Sequence, residues 1–361
     1  MKNGGNILLR LLVWTILLVL LVLAVRHASR MRCQTTVQRI EISVEDSASR
    51  RIVSSGMIRE WLHAKRAEYL GEPIDSVDTR KIEQIISSHL FVENVRAFTD
   101  LRGTLRIRVA QRRPVLRVES SNGYRFYLSD DGYILPLQNH FATYVPIVTG
   151  FCPFPFAPGT QGDYQEVVRK AADHFREELA SITHEQTRLS TEREKVRLSI
   201  REWRSKRPKR LQSEEKRKLF LQQKERTLAE LGTELERLDR SLAENERKRL
   251  NLLEAQKKSE KRHLFFTKLL TFVKWTEKDD FWSSQIVQLN VLADNQTDLH
   301  PEIEIVPRAG NHIVLLGELD GTEQEKLDKL RLFYREALDW EGWDAQRYIN
   351  LKFKDQIVCS K

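Results

Sequence analysis

The chain has 361 residues, with 60 lysines and arginines against 51 aspartates and glutamates, for a formal net charge of +9. That length suits two or three modest domains, with enough apolar residues to fill their cores. Three cysteines, Cys33, Cys152 and Cys359, are widely spaced and odd in number; this excludes a disulfide framework and a cysteine metal site, leaving a Cys152–Cys359 bridge as an open pairing.

The first predicted element is an apolar run from Ile7 to Val25, broken only by Arg10 and Thr15 and followed by Arg26, Arg30 and Arg32. As a helix it spans roughly 28 Å, about the thickness of a hydrocarbon core. No small-x-small cleavage site follows, so it reads as an uncleaved signal anchor. Residues 1–6 form a short tail, and Ile7, Leu11, Trp14, Leu18, Val22 and Val25 are the anchoring residues. Cations flank the run on both sides and leave its orientation open.

Residues 34–111 read as a small β-α-α-β-β domain. Alternation at Ile40, Ile42 and Val44 marks a strand. Met57, Ile58, Trp61 and Leu62 share one side of a helix; Ile82, Ile85, Ile86 and Leu90 mark a second. Val95 and Ala97, then Leu105, Ile107 and Val109, are two strands joined at Arg102-Gly103. Two helices on one face of a small sheet make a self-sufficient unit.

A strand-rich region follows over 112–165 and resumes over 276–361. Its first part holds Val115 to Val118, Tyr124 to Leu128, the Asp131-Gly132 turn, Tyr133 to Leu137, and Val145 to Val148 before Gly150. Its second part holds strands over Ser284 to Leu292, Glu302 to Val306 and His312 to Leu316. Thr322 to Glu325 then has the form of a capping box, opening a helix with Leu327, Leu330, Phe333, Tyr334 and Leu338. A last strand, Tyr348 to Val358, closes the chain.

Between the two parts, residues 166–275 are predicted to form an antiparallel coiled-coil hairpin. One apolar line runs Phe175, Leu179, Ile182, Leu189, Val196, Ile200 and Trp203; another runs Leu221, Leu228, Leu231, Leu235, Leu238 and Leu242. Pro208 breaks the pattern and supplies the turn. Residues 176–262 alone carry a net +8. The excess charge thus sits on a solvated helical insertion, which argues against nucleic-acid binding. Most of this charge reads as the solvated face a long thin hairpin needs; the basic tip, Arg201 to Arg210, is open instead to anionic lipid or wall polymer, and the sequence does not choose between them.

No phosphate loop, zinc helix or nucleophile elbow is present, and no catalytic, cofactor-binding or metal-binding set emerges. His300 and His312 read as surface or strand residues. Asp130-Asp131 beside Gly132 reads as a hairpin turn. Asp279-Asp280 reads as a helix end or loop without an evident partner. The aromatic group Trp275, Phe281 and Trp282 is expected to pack the base of the hairpin onto the sheet.

The ordered series of motifs resembles the bacterial division family FtsQ (DivIB) in its Bacteroidetes form. The first small domain resembles the family's POTRA module. Gln111-Arg112-Arg113-Pro114-Val115-Leu116-Arg117 resembles its junction with the β domain. Tyr127 to Gly132, Pro136, Val145 to Gly150, Phe281-Trp282, Gln285-Ile286, Glu302 to Arg308, Gly310 and Ile313 to Gly317 follow in order. Lys326-Leu327, Leu330, Phe333-Tyr334 and Tyr348 to Val358 complete the series. The hairpin is the main departure from compact members.

The resemblance implies an α+β fold: a transmembrane helix, a POTRA domain, and an FtsQ-type β domain interrupted by the hairpin. It implies an inner-membrane scaffold without a catalytic step or cofactor, with a cytoplasmic tail and a periplasmic body at the division septum. Implied partners are the FtsB–FtsL pair, FtsK-like proteins, and through them FtsW and FtsI. The family's partner surface is the last strand with its flanking helix, pointing here to Tyr348, Ile349, Asn350, Leu351, Lys352 and Phe353, with Tyr334. A competing reading is a membrane-fusion adaptor of an export pump, which also joins an anchor to a hairpin in a β-rich body. The lipoyl half-motifs such an adaptor needs are not seen in the sequence.

Overall fold

The computed structural model describes residues 12–26, 35–45, 52–67, 69–100, 102–137, 143–208, 213–293, 300–338, 346–354 and 356–360. Residues 12–26 form helix α1, with every side chain exposed, Trp14, Leu18, Val22 and Val25 included. Among the described residues no helix is long and apolar enough to cross a membrane. Ile7 and Leu11, the start of the expected anchor, lie outside the described residues. The chain divides into two compact units, residues 1–118 with 125–147, and residues 119–124 with 148–361.

In the first unit, β1 (Arg39–Glu45), α2 (Ser55–Ala64), α3 (Thr79–Ser87), β2 (Val92–Thr99) and β3 (Thr104–Gln111) follow the expected β-α-α-β-β order. The sheet order is β1-β3-β2, with β1 parallel and β2 antiparallel to the central β3. Both helices start on side-chain caps: Ser54 accepts from the Met57 amide and Asp78 from the Lys81 amide, satisfying donors that a helix start leaves unpaired. Ile58, Leu62, Ile82 and Ile86 meet Leu105, Ile107 and Val109 in one apolar core. Strands β4 (Pro114–Glu119), β5 (Arg125–Ser129) and β6 (Tyr133–Pro136) come next, adjacent in that order.

The turn between β5 and β6 is the Asp130-Asp131-Gly132 segment, as the sequence predicts. Its acids also hold the chain that leaves β3. Arg112 is buried, ion-paired to Asp131, stacked on Tyr133 and bonded to the Leu90 carbonyl. Arg113 pairs with Asp130. A buried guanidinium is tolerated because partners surround it.

In the second unit, β7 (Ile147–Gly150) and β8 (Gly162–Asp163) precede α4 (Tyr164–Ser205) and α5 (Glu214–Lys278). The two helices run antiparallel. Gln186 bonds Glu246, Arg193 pairs with Asp239 nearer the turn, and the Lys224 ammonium donates to the Arg204 and Lys206 carbonyls at the end of α4. That lysine satisfies carbonyls a helix C-terminus leaves open. Leu189 and Leu238 are fully buried, and the other predicted stripe residues are half-buried, with one correction: Leu221 is 49% exposed.

The base of the hairpin is closed by different aromatics from those expected. Tyr164 packs on Phe266, which meets Phe154 and Phe156, and Tyr124 donates its hydroxyl to the Phe156 carbonyl. Trp275 lies instead beside Phe272, and Trp282 is buried with Phe281 and Tyr334.

After α6 (Asp280–Gln285) come β9 (Ile286–Leu292), β10 (Glu302–Pro307), β11 (Ile313–Glu318), α7 (Glu323–Phe333), continued as a π-helical turn, and the short strands β12 (Tyr348–Asn350) and β13 (Val358–Ser360). The strand order in this unit is β13-β12-β11-β10-β9-β7. Gly150 has a φ of +84° and its Cβ position is filled by the Val291 carbonyl, so only glycine fits this approach of β7 to β9. The predicted capping box is replaced by another device. Thr322 makes no side-chain cap, and Asp320 accepts from the Thr322 amide and hydroxyl while pairing with Lys326.

Candidate functional site

The sequence places the candidate partner surface in the last strand, and the structure divides that segment. β12 lies parallel to β11, with Ile313 opposite Tyr348, Val314 opposite Ile349 and Leu315 opposite Asn350. It is not an edge: β13 turns back and pairs antiparallel with it, Tyr348 opposite Ser360, Ile349 opposite Cys359 and Asn350 opposite Val358. The end of the strand order is therefore β13. The continuous strand expected over 348–358 fails because the chain must reverse to lay β13 on β12.

Alternation then sorts the candidate residues. Ile349 and Leu351 are 0% exposed and Tyr334 is 3% exposed, so these three cannot present side chains to a partner. Tyr334 bonds His312 through its hydroxyl at 2.7 Å and packs among Phe281 and Trp282; burial raises its phenol pKa above the ordinary value. His312, expected at the surface or in a strand, is itself buried. Exposed are Tyr348 at 50%, Phe353 at 46% and Val358 at 42%, together with Lys352 and Ser360, while Asn350 is half-buried. Tyr348, Asn350, Val358 and Ser360 share one face of the β12–β13 pair, because residues directly opposite in a ladder lie on the same side.

Several contacts fix this corner. The Leu351 amide bonds the Leu315 carbonyl, and the Lys329 ammonium of α7 holds the carbonyls of Phe353 and Lys354. Lys352 crosses β11 to pair with Glu302. It passes over Gly317, whose φ is +86° and whose Cβ would lie 2.9 Å from the Lys352 Cγ. Asp279 caps α6 through the Phe281 and Trp282 amides and accepts from Arg331 at 2.6 Å. The Arg331 bond is the main reason its carboxyl stays below the usual range. The partner of Asp279 thus comes from α7, 52 residues away in sequence.

Cys152 is buried, its thiol pushed up to about 12 by desolvation, and it is not bridged to Cys359. Among the described residues no group of three His, Cys, Asp or Glu side chains is placed to hold a metal ion.

A small three-stranded sheet under two helices, followed by a mixed sheet ending in an open strand, defines an α+β protein of the POTRA-containing class. Residues 35–110 match the POTRA-like domain, and residues 236–360 match the family described as FtsQ/DivIB, C-terminal related. Together the two matches support an FtsQ/DivIB family protein. That family is generally one of non-enzymatic division scaffolds, and the match suggests a role in cell division. No curated protein matches the chain.

Proposed function

We propose that the protein is a divisome scaffold of the inner membrane that links early division proteins to an FtsB–FtsL pair and so to septal peptidoglycan synthesis by FtsW and FtsI. Residues 1–6 are its cytoplasmic tail, residues 7–25 its single transmembrane anchor, and the rest lies in the periplasm. The exposed apolar sides of α1 support an anchor, since such a helix needs a non-aqueous surrounding. The POTRA-like domain receives FtsK-like proteins. The hairpin is a coiled-coil insertion that keeps its own role.

The observation that carries this reading is the end of the sheet at β13. A terminal strand has one row of backbone N–H and C=O groups without a sheet neighbour, and a partner segment can add to it as a further strand. Exposed Val358 within it, with exposed Tyr348 and Phe353 nearby, offers apolar and aromatic side chains to a partner, aromatics being the kind that most often anchor an interface. In this arrangement Tyr348, Asn350, Lys352 and Phe353 meet the partner, and Ile349, Leu351 and Tyr334 hold the strand in place.

Imaging a functional tagged copy through one division cycle tests the reading. A midcell band that forms before constriction is the expected result. An even distribution around the envelope would contradict it and fit an export adaptor instead.

A further inference from the structure

The hairpin stem and the hairpin tip treat their charges differently. Along the stem, cations and carboxylates are paired: Arg188 with Glu185 and Glu192, Arg193 with Asp239, Arg237 with Glu234, Lys248 with Glu244, and Arg249 with Glu246. These pairs keep a long thin helical pair soluble without a net field. At the tip, residues 195–208 and 213–224 carry ten lysines and arginines against three glutamates. Arg201, Arg204, Arg207, Lys216, Arg217 and Lys218 are exposed and form no ion pair among the described residues. Such crowding of one sign opposes folding through self-repulsion, so solvation of the hairpin does not account for it.

The tip also exposes large apolar side chains. Leu198 is 54%, Leu219 65% and Leu221 49% exposed. Leu219 lies one helical turn from Lys216 and Leu221 one turn from Lys218, so each leucine shares a face with a cation. Unpaired cations interleaved with exposed leucines are the pattern of an interfacial membrane contact, where the cations meet lipid phosphates and the apolar groups enter the headgroup boundary. A carbohydrate or peptide polymer would use the charge and leave the leucines in water. With 42 residues in α4, the tip stands about 60 Å along the helix from the sheet end of the hairpin.

We propose that the hairpin tip docks onto an anionic lipid bilayer through Arg201, Arg204, Lys216 and Lys218, with Leu219 and Leu221 entering the interface. The proposal stands apart from the FtsB–FtsL reading, which concerns β13.

The test uses the full chain in zwitterionic nanodiscs, mixed with separate vesicles of phosphatidylglycerol and phosphatidylcholine or of phosphatidylcholine alone, and scored by co-flotation. Binding to the phosphatidylglycerol vesicles only, weakening as salt rises, is expected. Arg204→Gln with Lys216→Gln and Lys218→Gln should weaken it by about a hundredfold, since each cation near an anionic surface contributes roughly fivefold. Leu219→Ser with Leu221→Ser should weaken it while leaving the salt dependence in place. All five side chains are exposed or at the tip, and unchanged helicity by circular dichroism checks the fold of each variant. Equal binding to both vesicle types, no binding to either, or undiminished binding by the triple cation variant would overturn the proposal. Retention on peptidoglycan sacculi in place of the vesicles would overturn it too.

Discussion

Strands β1 and β13 both end a row of strands, and they treat the exposed edge in opposite ways. β1 is seven residues long and points Arg39, Glu41 and Glu45 to solvent, with Glu41 also paired to Arg106 of β3. Charges along an edge discourage a further strand, because an incoming chain would have to desolvate them. β13 is three residues long, Val358-Cys359-Ser360, without a charge, and Tyr348 and Phe353 are exposed nearby. Edge position alone therefore does not make a partner site: the charges that line β1 are absent from β13, and an edge without them presents a lower barrier to an added strand.

The largest effect is expected from removing what holds β13 in place. Ile349→Ala or Leu351→Ala should cost about 2–5 kcal/mol in chemical denaturation, as expected for a large side chain lost from a packed core, and should abolish FtsB–FtsL capture with it. Giving β13 the chemistry of β1 comes next. Val358→Lys with Ser360→Glu should weaken capture at least about tenfold, while global stability moves by no more than about 0.5 kcal/mol, the usual range for surface changes. Undiminished capture by the folded double variant would remove β13 from the interface.

Two smaller effects sharpen the assignment of buried positions. Tyr334→Phe deletes the hydroxyl that bonds His312 and should cost about 1 kcal/mol of stability, with partner affinity unchanged once folded protein is compared with folded protein. In the first unit, His89 stacks on Trp61, and burial, with Lys65 second, holds its pKa below the ordinary 6.5. The native state therefore binds fewer protons than the unfolded state as pH falls below 6.5, and the His89 contribution, present at higher pH, is lost towards the native pKa. The melting temperature should fall modestly on moving from about pH 7.5 to about 5.5, and His89→Gln should remove that part of the fall.

Much of this was legible in the sequence because the signals were local. Period-two alternation at Ile40, Ile42 and Val44 and the helical spacing of Ile82, Ile85 and Ile86 place the elements of the first unit. Pro208 and the leucine lines place α4 and α5. What the sequence hid depends on distant partners. Asp279 needs Arg331, His312 needs Tyr334, and the aromatic clasp joins Tyr124, Phe154, Phe156 and Tyr164 to Phe266 across the whole insertion. The reversal that makes β12 internal has a different cause. Tyr348 to Val358 reads as one extended run, and nothing in its pattern marks Lys352 to Gln356 as the connection between two strands. Family resemblance points to this segment, while alternation and burial decide which of its side chains face out.

In the proposed arrangement β13 receives a partner strand. Hydrogen–deuterium exchange of the full chain, with and without the purified FtsB–FtsL pair, tests it most directly. Adding the pair should slow exchange at Val358 to Ser360 by at least about tenfold, as expected when edge amides enter a ladder, and leave the β1 amides unchanged. Protection that appears elsewhere while β13 exchanges as before would contradict the account.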